Sequence, residues 1–215
     1  MAARLPDGAT VSLATTYGTA KAVSGITNAS PGVATSTAHG LANGAILAVT
    51  SGWQNLTDRI VRVSASATNT FGLEGIDTTL TSRYPIGSGV GSVQEITAFT
   101  QIQQIMGFTT SGGDQQFTNY SFLEQDFETQ TPTITSAQSI TLDIADDPSL
   151  AGYIALKAAS EARAVRALRL SLPDGSFLLY QGLVSFNETP TVTKGQVMTV
   201  KATFSLKSRP VRYAA

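Results

Sequence analysis

The stretch of sequence that decides the fold is MTVKATFSL, at residues 198–206. Every second residue from Met198 to Leu206 is apolar, and the residues between them are Thr, Lys or Ser. Successive side chains of a β-strand point to opposite faces of the sheet. The alternation therefore predicts a strand with one face in a core and the other toward solvent or a partner.

Two segments upstream predict further antiparallel strands. Leucines at every second position from Leu168 to Leu172 are followed by the turn Pro173-Asp174-Gly175, and residues 177–186 return, which predicts a hairpin. The segment from Ser139 to Ala145 alternates in the same way. Its apolar face consists of Ile140, Leu142 and Ile144.

One helix is predicted between these strands. Asp146 and Asp147 precede Pro148, where a carboxylate can accept backbone N–H groups of a first turn and a proline costs no hydrogen bond. The helix is predicted to end near Arg163. Apolar residues at four-residue spacing are predicted to form its buried face: Leu150, Ile154 and Ala158.

Residues 23–95 differ from the rest of the chain. They are rich in small residues and turn signals, with short apolar stretches at Ile46–Val49 and Ile60–Val63. This pattern predicts a small β-barrel domain inserted into a main β domain formed by residues 1–22 and 96–215.

Composition narrows the range of possible functions. The 215 residues include no cysteine, which excludes disulfides, thiolate metal sites and a cysteine nucleophile. The net charge of −1 argues against a general nucleic-acid binder. No segment approaches the roughly 18 apolar residues of a membrane span, and Met1–Gly8 carries Arg4 without an apolar run behind it. We therefore expect no membrane partner and no export signal.

Charge is divided unevenly along the chain. Between Arg83 and Lys157 there is no basic residue, although acidic residues recur there, and from Lys157 onward basic residues outnumber acidic ones. Complementary patches favour head-to-tail association of identical copies. Pairing of the same charges within one fold is the alternative interpretation.

No residue pattern predicts catalysis. His39 is the only histidine of the chain and stands at a turn beside Gly40, where a structural histidine is the ordinary case. Gly87, Gly89 and Gly91 lack the following Lys-Ser/Thr of a phosphate-binding loop, so they are interpreted with Pro85 as a flexible linker. We expect no catalytic residue, no metal site and no cofactor.

Glu124, Asp126 and Glu128 form a polar row. On a strand they would project from one face with neighbours roughly 7 Å apart, which is too far for three carboxylates to bind one ion. Two interpretations stay open. The row is a solvated strand face, or it lines a passage where negative charge keeps DNA phosphates from adhering.

Aromatic residues flank or occupy a loop-like stretch that contains Gly112 and Gly113. Such a loop can become ordered on a neighbouring subunit, since aromatic area dominates interfaces, or its rings can complete the core. The candidates for contact between subunits are Phe108, Phe117, Tyr120 and Phe122.

Two segments carry a family resemblance. The order of a helix, the Leu168–Phe186 hairpin and the Met198–Leu206 strand before Pro210 resembles the tail tube proteins of lambda-like phages with long non-contractile tails. Residues 35–44, TSTAHGLANG, followed by residues 69–73, NTFGL, look like a small β-barrel insert of phage structural proteins. That insert is similar to the FCCH-like module of ubiquitin-activating enzymes.

The resemblance implies a β-sandwich or distorted barrel with one packed helix, in a protein that forms hexameric rings. The rings would stack into a tube that holds the tape measure protein and later conducts DNA, with the insert on the outside. Its partners would be further copies of the chain, the tape measure protein, the tail terminator and the tail tip proteins. Its location would be the virion tail, after assembly in the host cytoplasm.

Alternative functions remain at this point. A tail terminator or connector subunit would also form rings. A β-rich adhesin would use Trp53 and Tyr84 to bind a sugar, and a hydrolase would depend on His39.

Overall fold

A computed structural model describes residues 7–215 of the chain. Residues 1–6, which include Arg4 and the start of the predicted main domain, lie outside the described residues. Strands hold 50% of the residues and helix 5%, so the predicted mainly β class with one helix is confirmed.

Sixteen strands and one helix make up the described chain. Their bounds are β1 Thr10–Tyr17, β2 Lys21–Val23, β3 Gly25–Ile26, β4 Val33–Thr35, β5 Ile46–Ser51, β6 Arg59–Ser64, β7 Thr70–Leu73, β8 Gly91–Ile102, β9 Ile105–Ser111, β10 Gln115–Tyr120, β11 Thr129–Thr135, β12 Ser139–Ala145, α1 Ala151–Glu161, β13 Val165–Ser171, β14 Phe177–Thr191, β15 Thr199–Leu206 and β16 Val211–Tyr213.

Most of the strands belong to one large, curled antiparallel sheet. The hydrogen-bonded order is β3-β4-β7-β6-β5-β8-β1-β13-β14-β15-β12-β9, with β16 added to β14 and β2 added to β8. Strands β10 and β11 form a separate two-stranded sheet. The long strand β8 pairs with β2 and β5 near its start and with β1 near its end, so it runs across residues 95 and 96 without a break.

The strands predicted from alternation are confirmed. Strand β12 has the predicted bounds, and β13 and β14 form the predicted hairpin around residues 173–175. Strand β15 lies between β12 and β14, and its Ala202 and Phe204 pair with Leu142 and Ile140 of β12. All four side chains are buried, as the period of two requires.

The helix begins later and buries a different face than predicted. Its first residue is Ala151, and Asp147 accepts hydrogen bonds from the backbone N–H and the hydroxyl of Ser149, at 3.1 and 2.6 Å, instead of capping the helix. The predicted face is wrong, because Ile154 and Ala158 are exposed and Leu150 lies just outside the helix. The buried residues are Gly152, Tyr153, Leu156 and Ala159.

The position of Gly152 explains this orientation. A Cβ atom there would stand 2.6 Å from the carbonyl oxygen of Gln101, so the glycine permits close packing of the helix on β8. Tyr153 adds a contact with β14, because its ring packs edge-on against Phe186 with the centroids 4.8 Å apart.

Buried side chains form three clusters. The largest, which we call the body core, lies beneath α1 and includes Leu13, Leu156 and Phe204. The second core consists entirely of residues between Val23 and Val93. The third, which we call the junction, joins Ile60 of β6 to residues of the sheet around β1 and β13 and to the C-terminal Val211 and Tyr213.

The glycine-rich segment predicted as a flexible linker is packed. A Cβ atom on Gly89 would stand 2.9 Å from the ring of Trp53, and the N–H of Gly52 donates to the carbonyl of Val90 at 2.8 Å. Gly91 already belongs to β8. Gly89 and Gly91 permit close approach to the ring of Trp53 and to the carbonyl of Thr50, so the interpretation of this segment as a flexible linker is wrong.

Candidate assembly site

A two-stranded arm projects from the end of the β9–β12 hairpin. Strands β10 and β11 pair antiparallel from Gln115↔Thr135 to Tyr120↔Thr129, and residues 121–128 form the tip. At the base of the arm the hydroxyl of Ser136 accepts hydrogen bonds from the N–H groups of Gly113 and Asp114, both at 3.0 Å. Gly112 and Gly113 have φ of +77° and +89°, which glycine adopts without strain.

The arm exposes apolar side chains to solvent. Every residue of β10 and of the tip is exposed, including Phe122 at 60%, Phe127 at 76% and Leu123 completely. An isolated two-stranded ribbon is marginally stable in water, and its unpaired edges can pair with another chain. The arm is therefore typical of a segment that becomes covered when subunits associate.

The predicted aromatic candidates divide between two places. Phe108 lies in β9, half-buried against the body core, so this ring completes the core. Phe117 and Tyr120 lie in β10, and Phe122 lies in the tip, where its ring packs edge-on against Tyr120 at 5.7 Å. The predicted flexible loop is wrong, because this stretch consists of paired strands.

The acidic row does not lie on a strand. Glu124, Asp126 and Glu128 all belong to the tip between β10 and β11, where each is exposed. The strand interpretation failed because the apolar residues around the row, Leu123 and Phe127, face solvent and not a core. Glu128 accepts a hydrogen bond of 3.1 Å from the amide of Asn119.

A positively charged cleft lies near the base of the arm, between residues of the second core and the C-terminal segment. It has a volume of ≈ 220 Å³, and it shares Lys207, Ser208 and Arg209 with a larger cavity of ≈ 750 Å³ against the arm base. We call it the basic cleft, after its four cationic side chains: Arg59, Arg83, Lys207 and Arg209.

Sequence reasoning missed the basic cleft. Arg59 and Arg83 belong to the segment predicted as an insert, whereas Lys207 and Arg209 follow the last long strand. The junction brings them together, and alternation patterns carry no information about such a contact. The excess of basic residues after Lys157 is the only signal that pointed toward it.

Some charges pair within the fold. Lys201 of β15 lies 3.7 Å from Asp143 on the neighbouring β12 and so joins the basic half to the acidic half, whereas Lys157 and Glu188, 2.9 Å apart, both belong to the basic half. Both pairs are solvent-exposed and contribute little to stability. Internal pairing therefore accounts for the charges at these positions. It does not account for the charges of the arm tip or of the basic cleft.

His39 and Trp53 are structural. Nδ1 of His39 accepts the N–H of Leu41 at 3.0 Å, so the ring carries its proton on Nε2, 3.2 Å from the carbonyl of Thr70. Trp53 is 1% exposed and donates to the carbonyl of Pro85 at 2.8 Å. A buried ring cannot form a sugar-binding platform, so the adhesin interpretation of Trp53 is wrong.

Residues 7–215 contain no group of three His, Cys, Asp or Glu side chains placed to hold a metal ion. They contain no helix that is long and apolar enough to cross a membrane.

The C-terminal tyrosine ties the second core to the body. The hydroxyl of Tyr213 accepts the N–H of Arg62 at 2.8 Å and donates to the carbonyl of Glu74 at 3.2 Å. The guanidinium of Arg62 lies 4.6 Å from the ring centroid and forms an ion pair with Glu74. Burial raises the pKa of Tyr213 above its ordinary value of 10.0.

A curled antiparallel sheet that carries a solvent-exposed, apolar arm is typical of a structural subunit that works by associating with others. A family model described as phage tail tube protein, TTP, matches residues 51–215, and the chain therefore belongs to the phage tail tube protein family, as the resemblance predicted. Membership supports a structural role in the tail tube, a place in the virion tail and assembly into a tube with other tail components. No curated protein matches the chain.

Proposed function

We propose that copies of this protein close into hexameric rings and that the rings stack into the tail tube. The observation that carries the proposal is the arm, an exposed two-stranded ribbon with Phe117, Phe122 and Phe127 in solvent. Burial of these rings and pairing of the open edges against a neighbour would provide the free energy of association. The ring size of six is what the resemblance to lambda-like tail tubes implies.

The tube would hold the tape measure protein during assembly in the host cytoplasm and would conduct DNA afterwards. The tail terminator would bind one end of the tube, and the tail tip proteins would bind the other. Lining of the lumen by Glu124, Asp126 and Glu128 stays a prediction. Their position in the arm tip removes the strand face on which that prediction was based.

Residues 23–95 would form an FCCH-like β-barrel domain on the outside of the tube, and residues 1–22 together with 96–215 would form the wall. The second core supports this division, because all of its buried residues lie between Val23 and Val93. The family match begins at Ser51, inside the proposed domain. Limited proteolysis within residues 23–95, followed by electron microscopy of tubes, tests whether this part is dispensable for stacking.

Negative-stain electron microscopy of the purified protein tests the proposed function. Images are recorded at rising protein concentration, with and without the tail tip complex as nucleator. We expect stacked rings, and monomers under every condition would contradict the proposal. Single rings that never stack would instead favour a tail terminator or connector.

A further inference from the structure

We infer that the acidic arm tip of one copy docks into the basic cleft of the next copy around the ring. This inference rests on the proposed function, because it names the surface that receives the arm. It assigns to Glu124, Asp126 and Glu128 a role in subunit contact in place of the predicted role in lining the lumen.

The chemistry of the basic cleft favours an anionic occupant. Among the described residues that line it, four are Arg or Lys and none is Asp or Glu. The Nε atom of Arg59 is buried and has no hydrogen-bond partner among residues 7–215. A buried donor without a partner costs free energy. Arg59 lines the cleft, so a carboxylate bound there would lie beside a guanidinium whose hydrogen bonds are not all satisfied.

Apart from Tyr84, the remaining wall of the cleft is polar. It consists of Gln54, Asn55, Thr57 and Ser208, and the amide of Asn55 reaches only the carbonyl of Arg83, at 3.5 Å. Amide and hydroxyl groups of this kind donate hydrogen bonds to carboxylates. The cleft therefore presents both positive charge and neutral donors to one ligand.

The arm tip has the complementary chemistry. Its three carboxylates fall within five residues, and the apolar side chains of Leu123 and Phe127 beside them are exposed. A central set of apolar contacts surrounded by charged pairs is the usual anatomy of a protein interface. Charges of opposite sign on tip and cleft would steer copies together and fix their relative orientation.

The geometry makes the contact intermolecular. The arm runs through the six residues of β10 before it reaches the tip, which places the tip about 20 Å from the base. The basic cleft lies at the base, since it shares Lys207, Ser208 and Arg209 with the cavity that the arm base lines. In the structure the tip of a copy is therefore held away from its own cleft.

Contact between two different surfaces on identical copies is head-to-tail. Such an interface closes into a ring when its rotation permits and otherwise extends as a filament. One copy would use its tip toward one neighbour and its cleft toward the other. Each subunit of a ring would then be held on both sides by the same pair of surfaces.

Charge reversal in both surfaces tests the inference. In the tip variant Glu124, Asp126 and Glu128 are changed to Lys, and in the cleft variant Arg83, Lys207 and Arg209 are changed to Glu. All six residues are exposed, so both variants are expected to fold. Each variant alone would place like charges at every contact and raise the critical concentration for assembly by about tenfold or more.

An equimolar mixture of the two variants gives the decisive result. The reversed tip of one variant meets the reversed cleft of the other, and the unreversed surfaces also match. The mixture is therefore expected to assemble near the wild-type concentration into rings that alternate the two chains. Glu161→Lys, an exposed change outside both surfaces, serves as the control and is expected to assemble as wild type does.

The other outcomes are distinguishable. Assembly of both single variants at the wild-type concentration would overturn the docking of tip into cleft while leaving the proposed function standing. Failure of the mixture to recover, although both variants fold and each is deficient alone, would also overturn it and would favour separate roles for the two surfaces. Failure of the wild type itself to assemble would count against the proposed function.

Discussion

The backbone N–H of Arg62 donates a 2.8 Å hydrogen bond to the hydroxyl of Tyr213, across 151 positions of sequence. Arg62 belongs to β6 in the part of the chain that builds the second core, and Tyr213 ends β16 and is one of the buried residues of the junction. The same hydroxyl donates to the carbonyl of Glu74. One buried side chain therefore links the second core to the body by two hydrogen bonds, alongside the apolar contacts of the junction.

Replacement of Tyr213 by Phe is expected to destabilise the protein by about 1–3 kcal/mol, because it leaves the N–H of Arg62 and the carbonyl of Glu74 without their partner. Urea unfolding followed by circular dichroism measures the loss. Tyr120→Phe, at an exposed position on the arm, is the matched control and is expected to change stability by less than about 0.5 kcal/mol. Equal stability of the two variants would contradict the role of the Tyr213 hydroxyl.

Stability is expected to fall at alkaline pH. Burial raises the pKa of Tyr17, Tyr180 and Tyr213, so the folded protein holds these protons more tightly than the unfolded chain does. This contribution to stability is complete below the unfolded pKa of about 10 and is lost as the pH rises through the folded pKa values. Urea midpoints between pH 8 and pH 11 measure it.

The same titration in Tyr213→Phe isolates one of the three groups. The decline in stability above pH 10 should be shallower in the variant, because the raised pKa of Tyr213 no longer contributes. An unchanged slope, or a gain in stability between pH 9 and pH 11, would contradict the assignment.

Removal of the arm is expected to abolish assembly without unfolding the body. The N–H of Ser136 already donates to the carbonyl of Asp114 at 2.8 Å, so residues 115–135 can be replaced by Asn-Gly as a two-residue hairpin turn. The shortened chain should keep its urea midpoint and remain monomeric in sedimentation velocity. Rings from the shortened chain would show that the arm is not the main contact.

Aromatic residues of the arm are expected to act on association and not on folding. Phe117→Ala and Phe122→Ala each should raise the critical concentration for assembly by about tenfold or more, while the stability of the monomer stays within about 0.5 kcal/mol. Phe108→Ala is the matched comparison, because its ring packs on the body core and its loss should destabilise the monomer by about 2 kcal/mol. If Phe117→Ala and Phe122→Ala instead destabilised the monomer and left the critical concentration unchanged, the arm would be covered within its own chain.

The strands predicted from the alternation of apolar and polar residues agree with the structure. Ile140, Leu142 and Ile144 are buried as predicted, since a sheet with one wet face imposes a period of two on its residues. The helix was predicted at the correct place with the wrong face, because close approach at Gly152 turned Tyr153 and Leu156 inward. Packing partners decide such a rotation, and they are distant in sequence.

The arm was predicted as a loop for a related reason. The aromatic residues Phe117, Tyr120 and Phe122 left core completion and subunit contact both open, and the arm has no core of its own because its strands expose both faces. A pattern that depends on one buried face cannot identify a ribbon that is covered only by another molecule. The basic cleft was missed because Arg59 and Lys207 are brought together by tertiary contacts alone.

Cryo-electron microscopy of assembled tubes tests the central claim most directly, because it follows each arm from its base at Gly112 to its tip. We predict rings of six in which every arm leaves its own subunit and is buried against the next one. Arms that stay in solvent, or that fold back onto their own body in a stable tube, would contradict the account.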